Sequence, residues 1–378
     1  MTDFHQAPFI VIWETTRACD LACAHCRAEA QPYRLPGELT RAEGLGLIDQ
    51  IADMGTSVLV LSGGDPLKRE DLLELIGHAK SRGLRVGTIP AASPSLHAEA
   101  VWRLKRAGLD QMALSLDAST ADAHDRFRGV PGAFEKTLEA VAWAHAAELP
   151  LQINTVLTAG NFHELDEIIR LVSGLGIVFW EVFFLVPMGR GSALQGLSAP
   201  QYEDAFAKLY AVQQAGRFVL KVTEAAHYRR YVLQRQQQAR AQQHAQGQAG
   251  IGAGAGARPD DPWRGHGPRG SIGLARWAIN AGNGYAFISH TGEVYPSGFL
   301  PACTGSIRST PLAELYRGHP VFRALRDPNA LRGRCGVCEF RSVCGGSRSR
   351  AYAVSGDYLG EEPCCAYLPS MLRAAAAG

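Results

Sequence analysis

The sequence predicts an α/β fold built on a parallel β-sheet, followed by a small cysteine-rich segment. Three observations carry this. Apolar runs alternate with amphipathic stretches over the first two hundred residues, a polar low-complexity stretch then breaks the pattern, and eight of the nine cysteines fall in tight groups.

The strand expectations are residues 9–16 (FIVIWETT), 57–63 (SVLVLSG), 84–89 (LRVGTI), 111–117 (QMALSLD), 151–157 (LQINTVL) and 178–186 (VFWEVFFLV). Most are continuous apolar runs rather than alternations, as expected of parallel strands covered on both faces. Helices are expected near 41–54, 70–82, 97–107, 132–147 and 162–174. The last begins with Asn161 as N-cap and Glu164 three residues on. Six strands alternating with helices imply right-handed crossovers in one parallel sheet. The pattern fits a partial barrel and a doubly wound open sheet equally.

A further helix is expected near 198–215. Residues 234–270 are rich in Gln, Ala and Gly with almost no apolar bulk. Such a stretch buries too little surface to offset its chain entropy, so it reads as a frayed helix extension followed by a flexible insertion. Order is expected again where YAFIS and EVYPS flank HTG, a hairpin signal with Gly292 at the turn. The expected domains are residues 1–233, the insertion 234–270, and a cysteine-rich unit 271–378.

Composition narrows the function. A formal net charge of +2 over 378 residues predicts no nucleic-acid or membrane partner. No apolar run is long enough to span a bilayer, and the first twenty residues lack the pattern of a secretory signal. A cytoplasmic protein is expected, in which thiols stay reduced and clustered cysteines point to metal rather than to disulfides.

Cys19, Cys23 and Cys26 are spaced C-x3-C-x2-C just after the first strand, where the C-terminal ends of parallel strands form the binding face. Three thiolates on one loop can hold three corners of an iron–sulfur cubane. Zinc is the rival, but a structural zinc site wants four closed ligands and no fourth cysteine lies nearby. One metal corner would then stay open to a substrate or cofactor. Cys335, Cys338 and Cys344, with Cys364 or Cys365, offer a closed set of four. Cys303 stands alone and reads as a small apolar side chain.

The cysteine triplet, followed by LSGGDPL (61–67) at the end of the second strand, resembles the radical S-adenosylmethionine (radical SAM) superfamily. The resemblance implies a partial (β/α)6 TIM-like barrel in which Cys19, Cys23 and Cys26 bind a [4Fe–4S] cluster that chelates SAM. It also implies SAM contacts at His25, Gly63, Gly64, Asp65 and Pro66, at Ser115 and Asp117, at Asn154, and at Val186. Gly63 and Gly64 would allow close backbone approach to the methionine amino group.

The C-terminal segment is similar to the SPASM/twitch extension of these enzymes, which binds auxiliary [4Fe–4S] clusters. It departs from the seven-cysteine pattern, with Arg348 in place of one cysteine and Ser297 in place of another. One auxiliary cluster on Cys335, Cys338, Cys344 and Cys365 is therefore expected, Cys364 being the alternative to Cys365. A zinc ribbon on the same residues is the rival reading.

Within the superfamily, CEFRSVCGGSRSRAYAVSGD and GEVYPSGFLP look most like the branch of haem d1 and siroheme-dependent haem b biosynthesis. The resemblance implies an oxidoreductase that cleaves SAM reductively to a 5′-deoxyadenosyl radical and abstracts hydrogen from a substrate. A haem-pathway tetrapyrrole leads, and a ribosomally made peptide is second. The first strand begins by residue 9, which leaves no room for an N-terminal peptide-recognition domain and favours a small molecule. An electron donor such as flavodoxin or ferredoxin is implied. A non-catalytic iron–sulfur or zinc scaffold is the reading from a different class.

Overall fold

The computed structural model describes residues 3–245 and 279–377. The expectation of a flexible insertion therefore falls largely outside the described residues, apart from its helical start. No described helix is long and apolar enough to cross a membrane.

The six expected strands form as β1 (Ile10–Glu14), β2 (Val58–Ser62), β3 (Arg85–Thr88), β4 (Gln111–Ser115), β5 (Leu151–Leu157) and β6 (Phe179–Phe184). Two more join them in parallel, β7 (Val219–Thr223) beside β6 and β8 (Tyr285–Ile288) beside β1. The sheet order is β7-β6-β5-β4-β3-β2-β1-β8-β9, in which β9 (Val294–Tyr295) is antiparallel to β8. The expected hairpin thus forms, and its first strand is also part of the barrel sheet. Sequence reasoning passed over β7 because it is a half-polar edge strand. Its Lys221 and Thr223 both reach Glu181 on β6, at 2.8 and 2.6 Å.

Side-chain parity separates a curled sheet from a flat one, because successive residues face opposite sides. Ile10 and Ile12, Val58 and Val60, Gln111 and Ala113, and Phe179 and Glu181 all line one internal cavity. The alternate residues Val11, Trp13, Leu59, Leu61, Met112 and Trp180 belong to the main apolar core. One face wraps a cavity and the other packs on helices, which is a partial barrel rather than a doubly wound sheet.

That outer layer comprises α1 (Arg41–Asp53), α2 (Leu72–Ser81), α3 (Ala98–Arg106), α4 (Ala121–Arg128), α5 (Ala133–Ala146), α6 (Leu165–Ser173) and α7 (Ala199–Ala215), with α8 (Tyr228–Ala245) after β7. Capping boxes start α1 at Thr40 and Glu43 and α7 at Ser198 and Gln201, satisfying amide groups that no helical carbonyl reaches. The expected cap at Asn161 does not form. Its side-chain oxygen accepts from Thr158 N at 2.8 Å, and its amide donates to Asp117 O and Val156 O. Two buried carbonyls at neighbouring strand ends need donors more than an exposed helix start does.

Candidate active site

The loop that follows β1 carries Cys19, Cys23 and Cys26 across the C-terminal mouth of the barrel. Its ends are clipped together by Cys19 N to Gln31 O and Gln31 N to Arg17 O, at 2.7 and 2.9 Å. All three sulfurs line one cavity, and each meets an N–H donor. Leu21 N lies 3.4 Å from Cys19 Sγ, Arg128 Nη1 lies 3.7 Å from Cys23 Sγ, and Ala30 N lies 3.5 Å from Cys26 Sγ. Donors aimed at sulfur favour the thiolate, the form that ligates metal. Burial pushes the Cys19 thiol up to about 12, so Cys19 is a thiolate only when a cation compensates it.

The two glycines of the GGDP turn are required by the chain's own packing. A Cβ on Gly63 would lie 2.5 Å from Thr16 O, and one on Gly64 would lie 2.5 Å from Ala18 O. In their place Gly64 N and Asp65 N donate to Thr16 O and Ala18 O, both at 2.7 Å. The end of β2 is thereby stitched to the backbone that leads into Cys19. Asp65 extends the stitching to β3, accepting from Leu67 N, Ala91 N and Ser93 Oγ. Its burial raises the carboxyl above its ordinary range despite these donors.

The cavity brings together the thiols with His25, Gly63, Gly64, Ser115, Asn154 and Val186. Asp65, Pro66 and Asp117 stand behind its wall, buried and engaged elsewhere. Asp117 is a hub: it pairs with Arg128 and accepts from Val156 N at 2.8 Å. Burial opposes its charge most strongly, and the Arg128 guanidinium, the neighbouring histidines and the Val156 amide together outweigh it and lower the carboxyl below its ordinary range. Asp117 thus acts through Arg128, the residue beside Cys23. Sequence reasoning missed Arg128, for which only an arginine eight residues after the helix cap Thr120 offers any signal.

His25 is held neutral, its pKa lowered to about 3 by burial and by Arg128. Its ring stacks on Phe127 at 4.6 Å, and no described group bonds its buried Nδ1. From the end of β6, Arg190 Nε donates to Cys23 O at 2.9 Å and Arg190 N to Cys26 O at 3.1 Å. A Cβ on Gly189, whose φ is +52°, would collide with Arg27 O at 2.6 Å. The cysteine loop is clamped from both sides of the barrel mouth.

This mouth cavity adjoins the barrel-interior cavity. They share Ile12, Ile89, Phe183, Tyr285 and Phe299 as walls.

A second thiol group lies in the C-terminal segment, which carries α9 (Leu312–Gly318), α10 (Pro320–Arg326), α11 (Gly333–Gly336), α12 (Arg348–Ser355) and α13 (Ser370–Ala377). Cys335, Cys338, Cys344 and Cys365 line one small, almost wholly apolar cavity; Cys364 does not. Cys364 turns to the main core and to Tyr202. Burial raises Cys344 to about 12 and Cys365 to about 11. Glu362 N donates to Cys335 Sγ at 3.3 Å and Gly346 N to Cys344 Sγ at 3.4 Å. Arg348 extends to Cys335 Sγ at 3.8 Å while holding Gly360 O and Tyr358 O. Ser297 lies instead beside Glu224, at 3.4 Å. Cys303 is exposed. Among the described residues no three His, Cys, Asp or Glu side chains converge closely enough to hold a single metal ion.

Comparison with known proteins agrees with this geometry. The radical SAM superfamily profile matches residues 13–172. An AdoMet-dependent heme synthase of Methanosarcina barkeri is 39% identical over 96% of this chain and 98% of its own length. A pre-heme d1 synthase of Dinoroseobacter shibae is 31% identical over 94% of this chain and 85% of its own. Among solved structures, Streptococcus suis SuiB bound to S-adenosylmethionine superposes with a TM-score of 0.67 at 14% identity, covering 96% of this chain and 78% of SuiB.

Proposed function

The chain belongs to the radical SAM superfamily, and from that premise we propose that it is a haem-pathway oxidoreductase acting on a tetrapyrrole. It is a radical SAM enzyme, and SAM and a [4Fe–4S] cluster are its cofactors. Cys19, Cys23 and Cys26 would hold the cluster, and their sulfur-directed donors fit that group. Bound there, cluster and SAM would supply radical chemistry for hydrogen abstraction from the substrate.

The chain's own residues do the rest. The Gly63–Gly64 turn fixes the cysteine loop, Arg128 sets charge beside Cys23, and the neutral ring of His25 walls the cavity on the SAM side. Ser115, Asn154 and Val186 would meet SAM along the ends of β4, β5 and β6. Cys335, Cys338, Cys344 and Cys365 would hold one auxiliary cluster, and a flavodoxin or ferredoxin would supply electrons. The shared cavity favours Cys365 over Cys364 as fourth ligand.

One observation carries the functional reading. Three thiols with N–H donors to every sulfur sit over a glycine turn at the mouth of a barrel, in a cavity that adjoins the barrel interior. The tetrapyrrole assignment rests on relatives named as heme and pre-heme d1 synthases along nearly the whole chain. The peptide alternative has the fold shared with SuiB and PqqA peptide cyclases such as that of Rhodopseudomonas palustris, 28% identical over 96% of this chain, which is below the 39% and 31% of the heme and pre-heme d1 synthases.

The test is anaerobic. Reconstituted protein with SAM and dithionite should release 5′-deoxyadenosine, which a non-catalytic scaffold would not. With a haem-pathway tetrapyrrole, 5′-deoxyadenosine and a modified macrocycle should appear in step by liquid chromatography and mass spectrometry. Radical formation without macrocycle turnover would reject the substrate assignment and keep the enzyme class.

A further inference from the structure

We propose that Arg27 forms an anion subsite that binds a carboxylate of the substrate on the β1–β8 wall of the mouth cavity. Arg27 follows the last thiol of the triplet, and its side chain reaches the β1–β8 wall. Its guanidinium lies over the Phe287 ring at 4.5 Å, and Nη2 donates to Glu14 Oε1 at 3.0 Å. Glu14 is 1% exposed and is held from its other oxygen by His290 Nδ1 at 2.9 Å. The arginine is thus fixed on an aromatic face by a carboxylate that is itself fixed.

A guanidinium has five N–H donors in one plane. Among the described residues only one donor of Arg27 has an acceptor, and the side chain lines the cavity with 19% exposure. Such a fork, pre-oriented by stacking, is the group that binds carboxylates in two-point fashion.

The position separates substrate from SAM. Ser115, Asn154 and Val186 belong to the β4, β5 and β6 side. Arg27 faces β1 and β8, where Tyr285, Phe287 and Phe299 make an aromatic wall. Gly298 leaves the approach open, since a Cβ there would come within 3.3 Å of Arg27 Nε. A flat apolar acid, with its ring against the aromatic wall and an anionic arm on Arg27, matches this surface.

The inference deepens the tetrapyrrole reading and rests on it, so the test separates the two. Holoprotein is titrated with iron coproporphyrin III, which has four carboxylate arms, and with its tetramethyl ester in the same mild detergent. Absorbance reads binding. Wild type should prefer the acid. Arg27→Gln should weaken acid binding about tenfold or more and leave ester binding unchanged, the usual effect of losing a charge-assisted pair. Arg27→Lys keeps a charge beside Glu14 and should fall between, which guards against misfolding of the glutamine variant. Cluster absorbance and SAM affinity should match wild type in both. Equal weakening toward acid and ester, unchanged acid binding, or a loss confined to SAM overturns the subsite alone. Wild type that binds neither porphyrin overturns the subsite and the tetrapyrrole reading together.

Discussion

Replacing Gly64 by Ala tests whether the glycine turn acts on the protein itself before any ligand arrives. The added Cβ would lie 2.5 Å from Ala18 O and 2.7 Å from Arg17 O, and both are backbone atoms that cannot rotate away. The strand ends must part by several tenths of an ångström, straining the bonds from Gly64 N and Asp65 N to Thr16 O and Ala18 O. Overpacking of this kind costs about 1–3 kcal/mol. With an unfolding entropy of about 2.1 cal/mol/K per residue over 378 residues, that lowers Tm by roughly 1–4 °C.

Calorimetry of the cluster-free protein should show this drop. After reconstitution, iron at the first site and 5′-deoxyadenosine yield should fall more steeply, because Ala18 directly precedes Cys19. Gly77→Ala is the control: it lies in α2 with nothing within 4 Å of the added Cβ, and should stabilise by about 1 kcal/mol through helix propensity. If cluster-free Gly64→Ala melts with wild type, the packing argument is wrong and the glycine serves only a ligand.

Cluster count is the next expectation: reconstituted wild type should carry roughly eight irons, and the Cys19, Cys23, Cys26 triple Ala variant about half, with no SAM cleavage. About twelve irons in wild type would show a further cluster that uses residues outside the two thiol groups. Cys365→Ala should lose the auxiliary iron and Cys364→Ala should keep it, because only Cys365 lines the shared cavity. A Cys335→Ala, Cys338→Ala double variant should still form 5′-deoxyadenosine while yielding little substrate product; normal turnover would make the second site a structural staple. Acid should weaken the β1–β8 wall. Burial alone would raise Glu14, but Arg27, His290 and Arg17 hold its carboxyl at about 2 against an ordinary 4.5. A depressed carboxylate contributes stability that is complete above its unfolded pKa and fades as pH falls from about 4.5 toward 2. The urea stability gap between wild type and Glu14→Gln, of order 3 kcal/mol at most, should therefore narrow from pH 6 to pH 3.5.

Much of this protein is written in short-range pattern. The spacing of Cys19, Cys23 and Cys26, and GGDP one strand later, lie within fifty residues, and so does each apolar run that became β1 to β6. These signals are legible because a strand's burial and a ligand loop's reach depend on adjacent residues. The C-terminal cysteines were legible as a group for the same reason. Which of two neighbours enters the cavity was decided by the direction each side chain takes in the folded chain, with Cys364 toward Tyr202 and Cys365 toward the other thiols.

Tertiary structure alone decided the rest, wherever a partner lies far along the chain. Strand β8 takes its place beside β1 across 275 residues, and His290 reaches Glu14 across 276. No local pattern encodes such pairings, which follow from closing the sheet edge. The curl itself was undecided in the sequence because open and curled sheets share the same apolar runs, and only the cavity on one face of the sheet separates them. Local rules failed where distant groups had stronger claims. Asn161 left its helix cap to satisfy carbonyls of two strand ends, and Asp117 withdrew behind the wall to hold Arg128 against Cys23. A buried polar atom must find its partner somewhere, and the fold, not the neighbouring sequence, determines which partner is within reach.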